Sequence, residues 1–252
     1  MKRYKGDLSI LALDIETAPN LGWVWGKWQQ NVLDMKSDWY ILSYAAKWLH
    51  IKGSKVVSRG LDDMMGYEKG SEDDTRLVQE LWRLVNDADI IVAHNGDGFD
   101  LPKIMTRFIV HGMKPPQPFK TVDTLKIARK KFAFDSNKLD DLCRYLGLGR
   151  KLPHTGFHLW KGCMAGDKKS WNKMKKYNAH DVDLLEDLYY LFRSWDTQHP
   201  QVNETFGGII SRCPKCGSKK IQKRGLSYTM LRRKQRYQCQ ACAGWFEGSA
   251  RK

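Results

Sequence analysis

The sequence predicts a mixed α/β sheet covered by helices, followed by a small module built on four cysteines. Three observations carry this reading. Short apolar runs such as residues 10–13 and 90–93 have the length of strands. From Thr75 onward such runs alternate with amphipathic helical stretches. Towards the C terminus two Cys-x2-Cys pairs, Cys213/Cys216 and Cys239/Cys242, are separated by 22 residues.

The first run leads into Asp14-Ile15-Glu16-Thr17. Strand side chains alternate, so Asp14 and Glu16 share a face. Two carboxylates aimed into one small space repel each other unless a cation stands between them, and hard divalent cations take oxygen ligands. The plain alternative is a strand end in water, where acids are ordinary. Residues 18–40 hold Trp23, Trp25, Trp28 and Trp39 among turn formers. These indoles are expected to pack, with stacking on nucleobases as the alternative. Residues 40–49 and 55–58 read as strands around a Lys52-Gly53-Ser54 turn. Thr75 is the expected cap of a helix through Asn86, with Leu77, Leu81, Leu84 and Val85 on one face. The order to this point is β-β-β-α.

Residues 90–93 read as a strand buried on both faces. The next helix spans residues 101–110, where Asp100 fits either an N-cap or a ligand at the exit of a central strand. A strand at 119–122 and helices at 125–131 and 138–146 follow, with Cys143 in the core. Residues 150–167 read as an irregular loop that gives Cys163 no role. A long helix, broken at most once, runs from Lys168 to Trp195. Its apolar stripe of Leu184, Leu185, Leu188, Leu191 and Phe192 extends back through Asp181 to Tyr177. A carboxylate on a core-facing stripe is costly unless an opposite charge or a metal meets it.

Of the net charge of +15, +11 falls within residues 207–252, which points to a polyanionic partner, nucleic acid before membrane. No apolar stretch has the length of a membrane span and no secretory leader is evident, so a cytoplasmic location is expected. Four cysteines at this spacing predict one structural Zn2+ in a tetrahedral thiolate site. A segment this small has little core, so the metal would supply much of its folding energy. Arg224, Arg232, Arg233, Lys234 and Arg236, with Tyr228 and Tyr237 among them, form a candidate backbone-contacting and stacking surface. A protein-docking role for the module is the alternative. Lys173 and Lys176 are further candidates for guiding a phosphate backbone, although exposed helical lysines are usually solvated.

Asp14-Ile15-Glu16, Asn95-x3-Phe99-Asp100 and Tyr177-x3-Asp181, in this order, resemble the three motifs of DEDD 3′ to 5′ exonucleases. The branch is the Tyr-bearing one that includes proofreading domains of family B DNA polymerases. The His-bearing branch would place His where Lys176 stands, and His180 is out of register. The flanking text (Asp123-Thr124-Leu125-x2-Ala128-Arg129, Leu139-Asp140-Asp141-Leu142, Tyr177-Asn178) is similar to stand-alone YprB-type exonucleases. The C-terminal module, with Arg236-Tyr237-Gln238-Cys239 and Trp245-Phe246, resembles transposase zinc ribbons.

The resemblance implies an RNase H-like fold and two Mg2+ or Mn2+ ions held by Asp14, Glu16, Asp100 and Asp181. Asp14 would bridge the ions, Glu16 would hold the nucleophile-side ion, and Tyr177 would orient the attacking water. The motif also implies that Asn95 and Phe99 contact nucleic acid. Asp97 and Asp123 compete as ligands, and the motif register favours Asp100 over Asp97. The expected organisation is an exonuclease domain at 1–195, a linker at 196–211 and a zinc ribbon at 212–252. The expected activity is metal-dependent 3′ to 5′ exonucleolysis with DNA favoured, single-stranded or frayed at the 3′ end because the metal pocket must reach the terminus. The alternatives are an exoribonuclease, a non-cleaving nucleic-acid-binding protein and a structure-selective endonuclease.

Overall fold

The structure is a computed structural model and describes residues 8–28, 31–201, 211–228 and 230–250. Most of the expected linker, residues 202–210, lies outside the described residues. Strands β1 (Ile10–Thr17), β4 (Ile41–Trp48), β5 (Val57–Gly60), β6 (Ile90–Ala93) and β7 (Lys120–Asp123) form one mixed sheet in the order β5-β4-β1-β6-β7. β4 pairs antiparallel with β1 and β5, whereas β6 runs parallel to β1 and β7.

Alternation along β1 sorts its side chains between two cores. Leu11, Leu13 and Ile15 pack with Leu77 and Leu81 of α1 (Thr75–Asn86) and with Ile104 and Phe108 of α2 (Asp100–Val110). Ala12 belongs to the other core, with Ala45, Val92 and Val122 and with Val182, Leu185 and Leu188 of α6 (Lys168–Phe192). Asp14 and Glu16 share the parity of Ala12, so β1 aims both at the α6 side. Helices α3 (Thr124–Lys131) and α4 (Leu139–Tyr145) supply Ile127, Ala128, Leu142 and Cys143 to the same core.

Several expectations need correction. Residues 21–37 carry an extra antiparallel hairpin, β2 (Leu21–Trp23) and β3 (Asp34–Ser37), so two further strands interrupt the β-β-β-α order. Its indoles stay largely outside the core: Trp23, Trp25 and Trp28 are 64%, 87% and 82% exposed. The cap of α1 is Asp74 rather than Thr75; Asp74 is fully buried and accepts hydrogen bonds from the Ile41 amide and the Arg107 guanidinium. The loop at 150–167 contains α5 (Phe157–Met164), a short helix that buries Leu159 and Cys163 four residues apart. Left-handed glycines, Gly156 and Gly166, border it and mask its period. α6 is one unbroken helix of 25 residues.

The cysteine module is a separate three-stranded antiparallel sheet, β8 (Ile221–Tyr228), β9 (Arg233–Cys239) and β10 (Trp245–Ala250), in the order β10-β9-β8. Its Lys215 is buried and donates from Nζ to the Ser194 carbonyl at 2.8 Å, just beyond the end of α6.

Candidate active site

Three elements deliver the acids. The parallel pairing of β1 with β6 ends at Ala12 and Val92, so the rest of β1 projects past it. The Ile15 amide in this projecting segment donates at 3.1 Å to Oδ1 of Asp100. Asp100 is the first residue of α2, not its cap; Phe99 holds that position. From the opposite side α6 supplies Asp181, with Tyr177 one turn earlier, and both are buried.

Carboxylate oxygens of Asp14, Glu16 and Asp181 all lie within 4.8 Å of one another. Oxygens on opposite sides of one magnesium-sized ion are about 4.2 Å apart, so this trio fits a hard cation. Asp100 stands outside the trio, but its charge repels Asp14 more strongly than does that of Glu16 or Asp181. Burial, reinforced by this repulsion, holds Asp14 well above the usual carboxylate range. Burial and Asp181 push Glu16 up to about 7, and burial brings Asp100 to about 6 against the hydrogen bond from Ile15. Oδ1 of Asp181 is buried without a hydrogen-bond partner, an unmet acceptor that a cation would satisfy.

Side chains around the acids fix them. The Asn178 amide donates to Oδ2 of Asp14, and the Trp160 indole hydrogen-bonds to Glu16. Lys151 donates from Nζ to Oδ2 of Asp181 at 2.6 Å and to the Tyr177 hydroxyl at 3.1 Å. Its own segment is held by Asp140, which accepts from the Lys151 amide at 2.7 Å, and by His180, 2.7 Å from the Arg150 carbonyl. His180 therefore braces the lysine loop. Burial, with the Asp181 charge, raises Tyr177 to about 12. Sequence reasoning did not single out Lys151 or Trp160, both within the segment read as a loop. The one available signal for Lys151 was general: a cluster of acids needs compensating charge.

The competing ligands have other duties. Asp123 accepts from the amides of Asn95, Asp97, Leu125 and Lys126, capping α3 and holding the turn after β6. Asp97 pairs with Lys126 at 2.6 Å. Asn95 is exposed at a left-handed turn position (φ 68°), and Phe99 is exposed with Lys103 Nζ 5.2 Å from its ring centre. Lys173 and Lys176 are exposed on α6, whereas Lys175 between them is bound to Asp62 and Asp63. A cleft of about 460 Å3 opens beside the acids, lined by Thr17–Asn20, Trp39, Lys103, His154, Gly156, Phe157 and Trp160.

In the small sheet the four cysteine sulfurs lie within 4.8 Å of one another, with Cys213 and Cys242 3.8 Å apart and Cys216 and Cys239 3.6 Å apart. Four thiolates on one Zn2+ at about 2.3 Å require separations near 3.8 Å, so the donor set fits zinc. Arg224, Arg232, Arg233 and Arg236 are exposed, with Arg233 over the Tyr228 ring and Arg236 over the Trp245 ring. Lys234 is half-buried and pairs with Glu247 at 3.2 Å.

A family model described as the RNase H superfamily matches residues 48–193. No curated protein matches the chain. Among solved structures, the family B DNA polymerase from the hyperthermophilic archaeon Pyrobaculum calidifontis is similar over 74% of this chain and 25% of its own, with a TM-score of 0.52 and 18% identity. This chain thus spans about a quarter of that polymerase's length, and the likeness is one of fold. A five-stranded mixed sheet flanked by helices, with more than half of the sequence matched by the family model, places the chain in the RNase H superfamily.

Proposed function

We propose that the chain is a metal-dependent 3′ to 5′ exonuclease acting on nucleic-acid ends, with DNA the favoured substrate. The observation that carries this is the meeting of Asp14, Glu16 and Asp181 from distant parts of the sequence, with Asp100 held near them by the Ile15 amide. A fold has no structural need to gather so much like charge. The ligand set is Asp14, Glu16, Asp100 and Asp181, and two Mg2+ or Mn2+ ions there would supply a hydroxide near neutral pH and stabilise charge on the leaving oxygen.

The residues around the acids have separate tasks. Asn178 and Trp160 fix the rotamers of Asp14 and Glu16. Tyr177, raised to about 12, keeps its proton at neutral pH and so orients the attacking water rather than acting as a base. Lys151 places a positive charge beside Asp181 and Tyr177, where a scissile phosphate oxygen meets it. We assign the catalytic body to residues 1–195 and a Zn2+-stabilised ribbon to 212–252, with Arg224, Arg232, Arg233 and Arg236 contacting the backbone. Among the described residues no helix is long and apolar enough to cross a membrane, and a cytoplasmic location is part of this reading.

The test is incubation of 5′-labelled DNA and RNA of matched sequence, with and without Mn2+, using wild type and Asp14→Ala. A ladder shortening from the 3′ end, dependent on metal and lost in the variant, is expected. Cleavage indifferent to Asp14→Ala would remove the mechanism, and products formed when the 3′ end is blocked would indicate an endonuclease.

A further inference from the structure

The hairpin at residues 21–37 is the largest feature that the proposed catalysis leaves unused. Its ladder is only three pairs long, Leu21 with Ser37, Gly22 with Met35 and Trp23 with Asp34. An isolated two-stranded ribbon of this length is marginal in water. Yet it displays three indoles within six residues, Trp23, Trp25 and Trp28, each at least 64% exposed. Exposed Trp at this density marks a surface that something else covers.

Its position identifies what covers it. The hairpin leaves β1 directly after Glu16 and Thr17, and both of its roots are walls of the cleft beside the acids: Pro19 and Asn20 on one side, Trp39 on the other. Oδ1 of Asn20 accepts from the Trp39 amide at 2.9 Å, and the Ala18 amide donates to the Tyr40 carbonyl at 2.9 Å, so the stem is fixed to the cleft rim. Lys103 Nζ lies 3.7 Å from the Trp39 ring centre, adding positive charge at the same rim. Indoles offer flat faces on which any base stacks whatever its sequence, and Lys27 among them suits a phosphate backbone.

We propose that this hairpin is a stacking prong that holds unpaired nucleobases of a single strand as the strand leaves the cleft. It makes the chain selective for single-stranded over fully duplex ends. The inference rests on the nucleic-acid reading above but not on cleavage. It predicts recognition through bases, so a strand keeping its phosphates but lacking bases loses the interaction.

The experiment uses the full chain without divalent metal. Fluorescence anisotropy measures binding to a single-stranded oligonucleotide, the same strand made abasic, and the blunt duplex. Trp25→Ala/Trp28→Ala is expected to weaken single-strand binding roughly ten- to a hundred-fold, from stacking magnitudes per base. Binding of the abasic strand should hardly change, and Trp25→Phe/Trp28→Phe should recover most of the loss. Circular dichroism and thermal unfolding report whether the variants keep the wild-type fold. Equal binding of wild type and the Ala variant to the single strand, or equal losses on the abasic strand, overturns the proposal. So does a change confined to self-association in sedimentation, which would make the hairpin a contact between copies of the chain. Because the readout is binding, a chain that never cleaves in the ladder assay can still pass or fail here.

Discussion

The ammonium of Lys151 lies 2.6 Å from Oδ2 of Asp181, whose other oxygen is buried with no hydrogen-bond partner. Half of this carboxylate is neutralised by the protein and half is left to accept a cation. Removing Lys151 leaves a buried charge uncompensated. Lys151→Ala should therefore lower the stability of the metal-free protein by on the order of 2–3 kcal/mol, less than for a fully buried pair because Lys151 is 30% exposed. Urea unfolding with and without Mn2+ checks this: metal should restore part of the loss, and an unchanged midpoint would show that the pair contributes nothing.

The raised carboxylates set a pH dependence. Glu16 near 7 and Asp100 near 6 bind protons more tightly folded than unfolded. Their contribution is fully present below the ordinary carboxylate range, is lost as pH rises through about 6 to 7, and stays lost above. The metal-free protein should thus melt lower at pH 8 than at pH 5 as far as these groups act. A divalent ion competes with those protons, so the rise in Tm on adding Mn2+ should be larger at pH 8. Equal rises at the two pH values would contradict this.

Glu16→Gln separates stability from activity. It removes one of the crowded charges while keeping an oxygen for the Trp160 indole. The metal-free variant should melt a few degrees higher at pH 8, whereas metal-dependent cleavage should fall at least about a hundred-fold, or roughly 2.7 kcal/mol. Paired calorimetry and ladder assays read both effects.

Away from the site, Asp74 joins α1, α2 and the start of β4 by accepting from Ile41, Arg107 and His111 while fully buried. Asp74→Ala leaves Arg107 without its partner and should cost about 3–5 kcal/mol, measured by denaturant unfolding.

The ribbon should bind one Zn2+ per chain. Chelation or Cys213→Ser should abolish its ordered structure, followed by limited proteolysis, while the α/β body keeps its own unfolding transition. Loss of the body's transition along with the zinc would show that the two fold as one unit.

Strand β1 and helix α6 were legible because their periods follow from backbone geometry. A two-residue repeat must put Asp14 and Glu16 together, and a 3.6-residue repeat must carry Asp181 and Tyr177 on the buried stripe. Lys151 was not legible: it lies outside any periodic segment in a chain with 43 Lys and Arg, and its place depends on Asp140 and His180 from two helices. The β2–β3 hairpin escaped for a related reason, since a three-residue ladder has no period to read. The exposure of its indoles depends on where the hairpin stands relative to the core, which composition does not encode. In Asp123 a plausible ligand was legible but its actual duty was not, because four backbone amides claim it only after the chain has folded.

The stem of the hairpin is closed by two short bonds, Ala18 to Tyr40 and Trp39 to Asn20, before any prong residue is reached. The described residues between Asn20 and Trp39 are thereby a cassette joined to the fold at two fixed points, a few residues downstream of Asp14 and Glu16. Loop grafts of different length and chemistry placed at these joints would retune what the proposed prong grips while the scaffold beneath stays in register.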